Sequence, residues 1–423
     1  MNAILLLLGL LVLSYVGSML RGERAIAGLG LPSGAEYLCL GFVLGGHALG
    51  IINQSLLDSF EPLLVVGASW IAFLAGLGYT QVGERRVAAG RALLGISSAT
   101  LVGGAVFSAV FYALPPFAPE SSQDRLLLAL GVAIVSCGST RQAVRWVVQR
   151  YATSGPLADT LADYARASAI VPVVGLALLL SLFPGPGLSH VTFGARVGLT
   201  FGIGALLGLV ALLLVSRGLS RDEVWGILVG TSLLSIGVAA RLGLSAVAAA
   251  FSMGLTLGTL SPRRAELSAM LRPTERGVLL PLAVLAGALV NLRDAPLVAW
   301  LVPCALLTRY AAELVRSLLL YAVSRPARSA GPLVAFGLVS TGDVTLACAV
   351  SIAVAFERPA ALSVLAVAAA GLLLGELIGP IALRRSLGRA GELHRDSMPP
   401  RPEPPLSVPP LSEPPAESVG SAK

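Results

Sequence analysis

A chain of 423 residues that is 55% hydrophobic and 13% charged, with a mean hydropathy of +0.83, carries more apolar surface than one water-soluble core can hide. Lipid must be the solvent for most of it, and the formal net charge of +7 requires no nucleic-acid partner, because arginines gathered on one side of a membrane give the same excess. The four cysteines (Cys39, Cys137, Cys304, Cys348) lack the spacing of a metal or redox pair, and the three histidines (His47, His190, His394) are scattered, so neither an enzyme nor a cofactor is expected.

A membrane-crossing helix needs roughly 20 mainly apolar residues, since amides inside hydrocarbon can be satisfied only within the helix. In chain order such stretches are expected at 2–20, 33–51, 62–80, 89–114, 126–149, 159–183, 192–215, 223–239, 243–259, 277–291, 296–322, 332–356 and 359–383, about thirteen in all. The first lacks the basic start of a secretory signal and is read as a retained helix. The tenth is short, and the fifth and sixth carry internal charges. Alternating strand patterning is absent, so the fold class is an all-α polytopic membrane protein. Arginines crowd the odd-numbered connections (Arg85, Arg86, Arg263, Arg264, Arg272, Arg276, Arg325, Arg328 among them) and follow the last helix as Arg384, Arg385 and Arg389. That asymmetry puts the C-terminus in the cytoplasm and, for thirteen spans, the N-terminus outside. Residues 393–423 hold nine of the 27 prolines with almost nothing apolar to bury, so the chain divides into a transmembrane domain at 1–392 and a disordered cytoplasmic tail.

Two of these stretches contain an echo: "VSCGST" at 135–140 and "VSTGDV" at 339–344. Gly-interrupted polar motifs at matching places in two halves are the pattern of an inverted repeat, in which two broken helices cross near the bilayer midplane and expose backbone groups to an ion. Ser136, Gly138, Ser139 and Thr140 form the first motif; Ser340, Thr341 and Gly342 form the second. The bland alternative is that the glycines only let helices approach closely.

With these motifs in place, the sequence resembles the monovalent cation:proton antiporter superfamily, whose members have a sodium/hydrogen exchanger-like membrane domain. "LPSGAEYLCLGFVLGGHALGI" is similar to that family's Pro, acid, Gly, Leu-Gly pattern, "ASWIAFLAGLGYT" to its "FLAGL" helix, and "GLSAVAAAFSMGLTLG" with "LLPLAVLAGALVNL" to two later helices. The resemblance implies a homodimer in the bacterial inner membrane. In it, a core domain carries the ion site past a fixed dimerisation or interface domain, and each broken helix belongs to the core.

An ionised side chain at mid-bilayer costs about 2.5–3.5 kcal/mol on insertion scales and is a functional candidate by default. Asp163, Arg166, Arg196, Arg309, Glu313, Arg316 and Asp343 qualify. Arg309, Glu313 and Arg316 follow one another at four and three residues and share a helix face. The resemblance gives Arg316 the place of a base paired with the carboxylate that alternately holds cation and proton. Asp343 is either such a carrier or a cap on a half-helix start.

The chain departs from the family where an acid is expected midway along the sixth span: Ala167 and Ser168 stand there. A hydroxyl can coordinate sodium but cannot release a proton near neutral pH. Asp163 lies five residues earlier, with Arg166 placed to neutralise it. Three possibilities follow: Asp163 or Asp343 has become the carrier, another solute moves, or transport is lost and the fold serves sensing or assembly. The expected ion- and proton-binding core is therefore Asp343, Arg316, Asp163, Ser168 and Glu313. The expected function is antiport of a sodium or potassium ion against protons, with a non-transporting regulatory protein as the alternative.

Overall fold

The computed structural model describes residues 34–46, 48–79, 81–82, 85–113, 121–151, 153–184, 188, 190–216, 220–290, 295–356 and 359–393. The expected first helix at 2–20, His47 and the proline-rich segment from His394 onward lie outside them. Among the described residues every regular element is helical except a hairpin pairing Gln81–Val82 with Arg85–Arg86.

Among the described residues seven helical segments are, by length and composition, long and apolar enough to cross a membrane: Ala89–Tyr112, Ser122–Arg150, Pro156–Leu182, Phe193–Val215, Arg221–Arg241, Pro296–Val323 and Pro359–Arg389. Shorter apolar helices run over Ala35–Leu44, Glu61–Leu77, Ala246–Leu260 and Asp343–Ala355. The helix matching the short tenth stretch is much longer than expected, Arg264–Leu289. Hydropathy cuts it at its charged first half, whereas the fold continues it because Glu275 is buried against arginines brought from elsewhere.

Local chemistry sets several helix starts. Ser220 and Glu223 form a capping box at Arg221–Arg241, and the hydroxyls of Thr140 and Ser245 accept from the amides of Gln142 and Ala248. Packing divides the helices into two groups. In one, Glu61–Leu77 pairs with Ala246–Leu260, which also packs on Phe193–Val215, and Ala35–Leu44 lies along Arg264–Leu289. In the other, Ser122–Cys137 is flanked by Ala89–Tyr112 and Pro359–Arg389. The groups meet where Asp343–Ala355 packs on Glu61–Leu77.

The glycines of the quoted motifs explain the first group. A methyl on Gly76 would overlap the Phe251 carbonyl, and one on Gly254 would overlap the Phe73 carbonyl. Gly41 and Gly287 stand in the same reciprocal relation to Val284 and Leu38. In lipid, where apolar burial gives helices no mutual attraction, such close approach is what holds a pair together.

One contact ties the end of the described chain to the sixth span. Glu392, 8% exposed, accepts from the amides of Leu157 at 2.7 Å and Ala158 at 2.8 Å, the first free donors of Pro156–Ser168. An anion at a helix N-terminus with two such bonds is stabilising, and Glu392→Ala should cost about 1–2 kcal/mol. The expected result is a lower melting temperature in detergent, with Glu392→Gln intermediate because it keeps one acceptor. An unchanged melting temperature in both variants would refute the clamp.

Candidate functional site

Both polar motifs break their helices. Ser122–Cys137 stops at Gly138 and the chain resumes as Arg141–Arg150, while a 3-10 turn over Val334–Leu338 gives way to Asp343–Ala355 after the extended Gly342. The two breaks touch: the amide of Thr140 donates to the carbonyl of Ser340 at 2.9 Å. A methyl on Gly342 would lie 3.1 Å from Cα of Thr140, so only a glycine gives this approach without pushing the chains apart.

Crossing brings two half-helix C-termini and two N-termini together, with partial charges of opposite sign. Arg309, 2% exposed, answers the negative ends. Its Nη1 donates to the Ser136 carbonyl at 2.6 Å, and its Nη2 donates to the Gly138 and Val339 carbonyls at 3.0 and 2.7 Å. Asp343 stands in the first turn of the second half-helix, where the positive end favours its charge. Its Oδ2 accepts from Arg141 Nη2 at 3.2 Å and from Gln142 Nε2 at 3.3 Å. Thr140 uses its hydroxyl to cap the opposite half-helix at the amide of Gln142, 3.0 Å away.

Arg316 links a second carboxylate to the first break. Its Nη1 donates to Glu313 Oε1 at 2.9 Å and its Nη2 to the hydroxyl of Ser139 at 2.7 Å; both Arg316 and Glu313 are fully buried. The guanidinium also lies 4.8 Å from the ring centre of Tyr164, whose hydroxyl bonds to Ser98. Glu313 Oε2 is buried with no partner among the described residues. An ionised carboxylate left in that state is costly. A proton or a small cation at that oxygen would relieve the cost.

The expected core residues thus occupy several places. Arg316 and Glu313 pair, with Ser139 bonded to the same arginine; Asp343 sits across the crossing, bonded to other groups. Fully buried Asp163 pairs with Arg91 at 3.1 Å, and Arg166, expected to neutralise it, donates to the carbonyl of Gly78. The hydroxyl of Ser168 donates back to the Ala165 carbonyl at 2.9 Å. Pro172 has no N–H to offer the Ser168 carbonyl, and the helix is interrupted at Ala169, between Pro156–Ser168 and Ile170–Leu182. The Pro172 ring adjoins Gly138, so this interruption lies beside the first break.

Residues that sequence reasoning did not single out complete the picture. Glu275 Oε1 accepts from Arg141 at 3.0 Å and from Gln142 at 3.2 Å, and its Oε2 accepts from Arg145 at 3.3 Å. Arg141 directly follows the first break and Arg145 lies one turn on, a signal that was legible. Glu275 sits in "RPTERG", which reads as a charged connection, and nothing local marks it as buried.

Comparison with known proteins bears on the family and the fold. A family model described as "Sodium/hydrogen exchanger, transmembrane" matches residues 9–384. A structure at pH 8 of the sodium proton antiporter MjNhaP1 from Methanocaldococcus jannaschii is similar to this chain with a TM-score of 0.67 at 18% identity, covering 92% of this chain and 99% of that one. An electron-microscopy map of the same protein gives 0.64 at 18% identity, covering 94% and 100%. At this identity the likeness speaks for the fold. No curated protein matches the chain in sequence.

Proposed function

Because the chain belongs to the sodium/hydrogen exchanger transmembrane family, an integral membrane family of transporters, we propose that it exchanges sodium or potassium for protons by alternating access. The observation that carries this reading is Glu313, a fully buried carboxylate with one oxygen bonded to Arg316 and the other without a partner, placed beside the first of two crossing helix breaks. It offers the titratable group that Ala167 and Ser168 do not. Ionised, Glu313 holds the cation together with neutral oxygens such as the hydroxyl of Ser139; protonated, it releases it. Arg316 keeps the charged form affordable in hydrocarbon, and Arg309 keeps the freed carbonyls from collapsing the crossing.

Alternating access is motion of the group containing both breaks against the group built on Glu61–Leu77 and Ala246–Leu260. The protein works as a homodimer in a bacterial inner membrane, with the C-terminus and its proline-rich tail from 393 in the cytoplasm. The arginine-rich connections support that orientation. Its substrates are the cation and the proton alone, and it uses no cofactor. The second reading, a non-transporting membrane protein with a regulatory role, is favoured by the missing acid in the sixth span.

Inside-out vesicles decide between them. With a preformed proton gradient, adding sodium, potassium or lithium should dissipate the gradient in vesicles carrying the chain and leave empty vesicles unchanged. No ion-linked flux with any of the three would leave the regulatory reading standing.

A further inference from the structure

On the arginine-rich side of the crossing, between the two helix groups, lies a cavity of about 30 Å³. Arg141, Arg145 and Arg166 line it from the group that holds the breaks, and Ser268, Arg272 and Glu275 from the other. Four arginines therefore face one carboxylate. Glu275 is bonded to Arg141 and Arg145 at 3.0 and 3.3 Å, and Asp343 shares the same Arg141 nitrogen, Nη2, at 3.2 Å, so a second carboxylate offsets part of that charge. Asp163 is bonded to Arg91 at 3.1 Å. None of these carboxylates lies within ion-pair distance of Arg166 or Arg272. The carbonyl of Gly78 accepts from Arg166. Arg141 Nε is buried without an acceptor.

Like charges gathered around one space repel one another, and an anion among them relieves that repulsion. The space exceeds the roughly 10–15 Å³ that a single water needs by the same measure, so a monatomic ion has room in it. We infer that this cavity binds a small monovalent inorganic anion of the size of chloride, held by Arg141, Arg145, Arg166 and Arg272 with the Ser268 hydroxyl as a further donor. Its ligands come from both helix groups, so the anion adds to the Glu275 bridge and favours the arrangement in which the groups are joined on this side. The site is separate from the exchange reading, since a chain that transports nothing would still bind the ion.

The test is melting of the purified full-length protein in uncharged detergent, with sodium chloride replaced stepwise by sodium gluconate at constant sodium and ionic strength. A ligand that binds the folded state raises the melting temperature along a saturating curve. That curve is expected for chloride. Arg272→Gln and Arg145→Gln should each raise the half-saturating concentration about tenfold or more, the effect of losing one charged hydrogen bond. Arg221→Gln, at the start of another helix, should leave the curve in place. Equal melting temperatures in chloride and gluconate overturn the inference, and so does a chloride effect that survives both cavity variants or disappears with Arg221→Gln.

Discussion

Glu313→Gln should reduce cation-linked proton flux to the level of empty vesicles while the protein still inserts and purifies. The side chain keeps its shape, and its carboxamide oxygen can still accept from Arg316, so the 2.9 Å contact seen with Glu313 has a substitute. What is lost is the ability to ionise, and with it the competition between proton and cation at the unpartnered oxygen. Arg316 then stands as a buried cation without its anion, a change that costs about 3–5 kcal/mol when one partner of a buried pair is removed. A lower melting temperature is therefore expected with the lost flux. Glu313→Asp separates the two effects: it restores the charge, so it should recover stability and part of the flux. If Glu313→Gln transports as well as the unaltered chain and Asp343→Asn does not, the carrier is Asp343 and the role given to Glu313 is wrong.

Arg309→Met should abolish folding. One guanidinium satisfies the carbonyls of Ser136, Gly138 and Val339 at 2.6, 3.0 and 2.7 Å, in a place where water is excluded. Methionine fills similar volume and returns no donor. Each orphaned buried acceptor costs about 1–3 kcal/mol, and three of them together consume much of the 5–15 kcal/mol by which a domain is usually stable. The C-terminal ends of both half-helices would also lose the positive charge set against them. The expected outcome is aggregation on detergent extraction, read by size-exclusion chromatography. Arg309→Lys, with three rotatable donors and no planar fork, should give a protein that extracts but melts earlier. A monodisperse Arg309→Met protein with unchanged melting would remove Arg309 from its place at the centre of the fold.

These two residues lie four positions apart on one helix and do different work. Arg309 makes the crossing possible by pairing backbone that the breaks set free. Under the proposed reading Glu313 uses the crossing, because the hydroxyl of Ser139 at the first break is bonded to the same Arg316 and is a neutral oxygen that could share a cation with it. The acid missing at Ala167 and Ser168 need not end the exchange chemistry; under this reading the titratable group has moved to the helix that already carried its base.

By itself the sequence determined the solvent, the all-helical class and where the backbone breaks. Long apolar runs can satisfy their amides in lipid only as helices, and glycine among small polar residues marks where such a helix stops. The spacing of Arg309, Glu313 and Arg316 likewise fixed their common face, because a helix imposes it locally. The tertiary structure decided which charge meets which. Asp343 meets Arg141, Asp163 meets Arg91, and Glu275 is buried at all, only because helices far apart in the chain cross at particular heights. Hydropathy and periodicity describe one helix at a time, whereas an ion pair between helices depends on the distance and rotation between two of them.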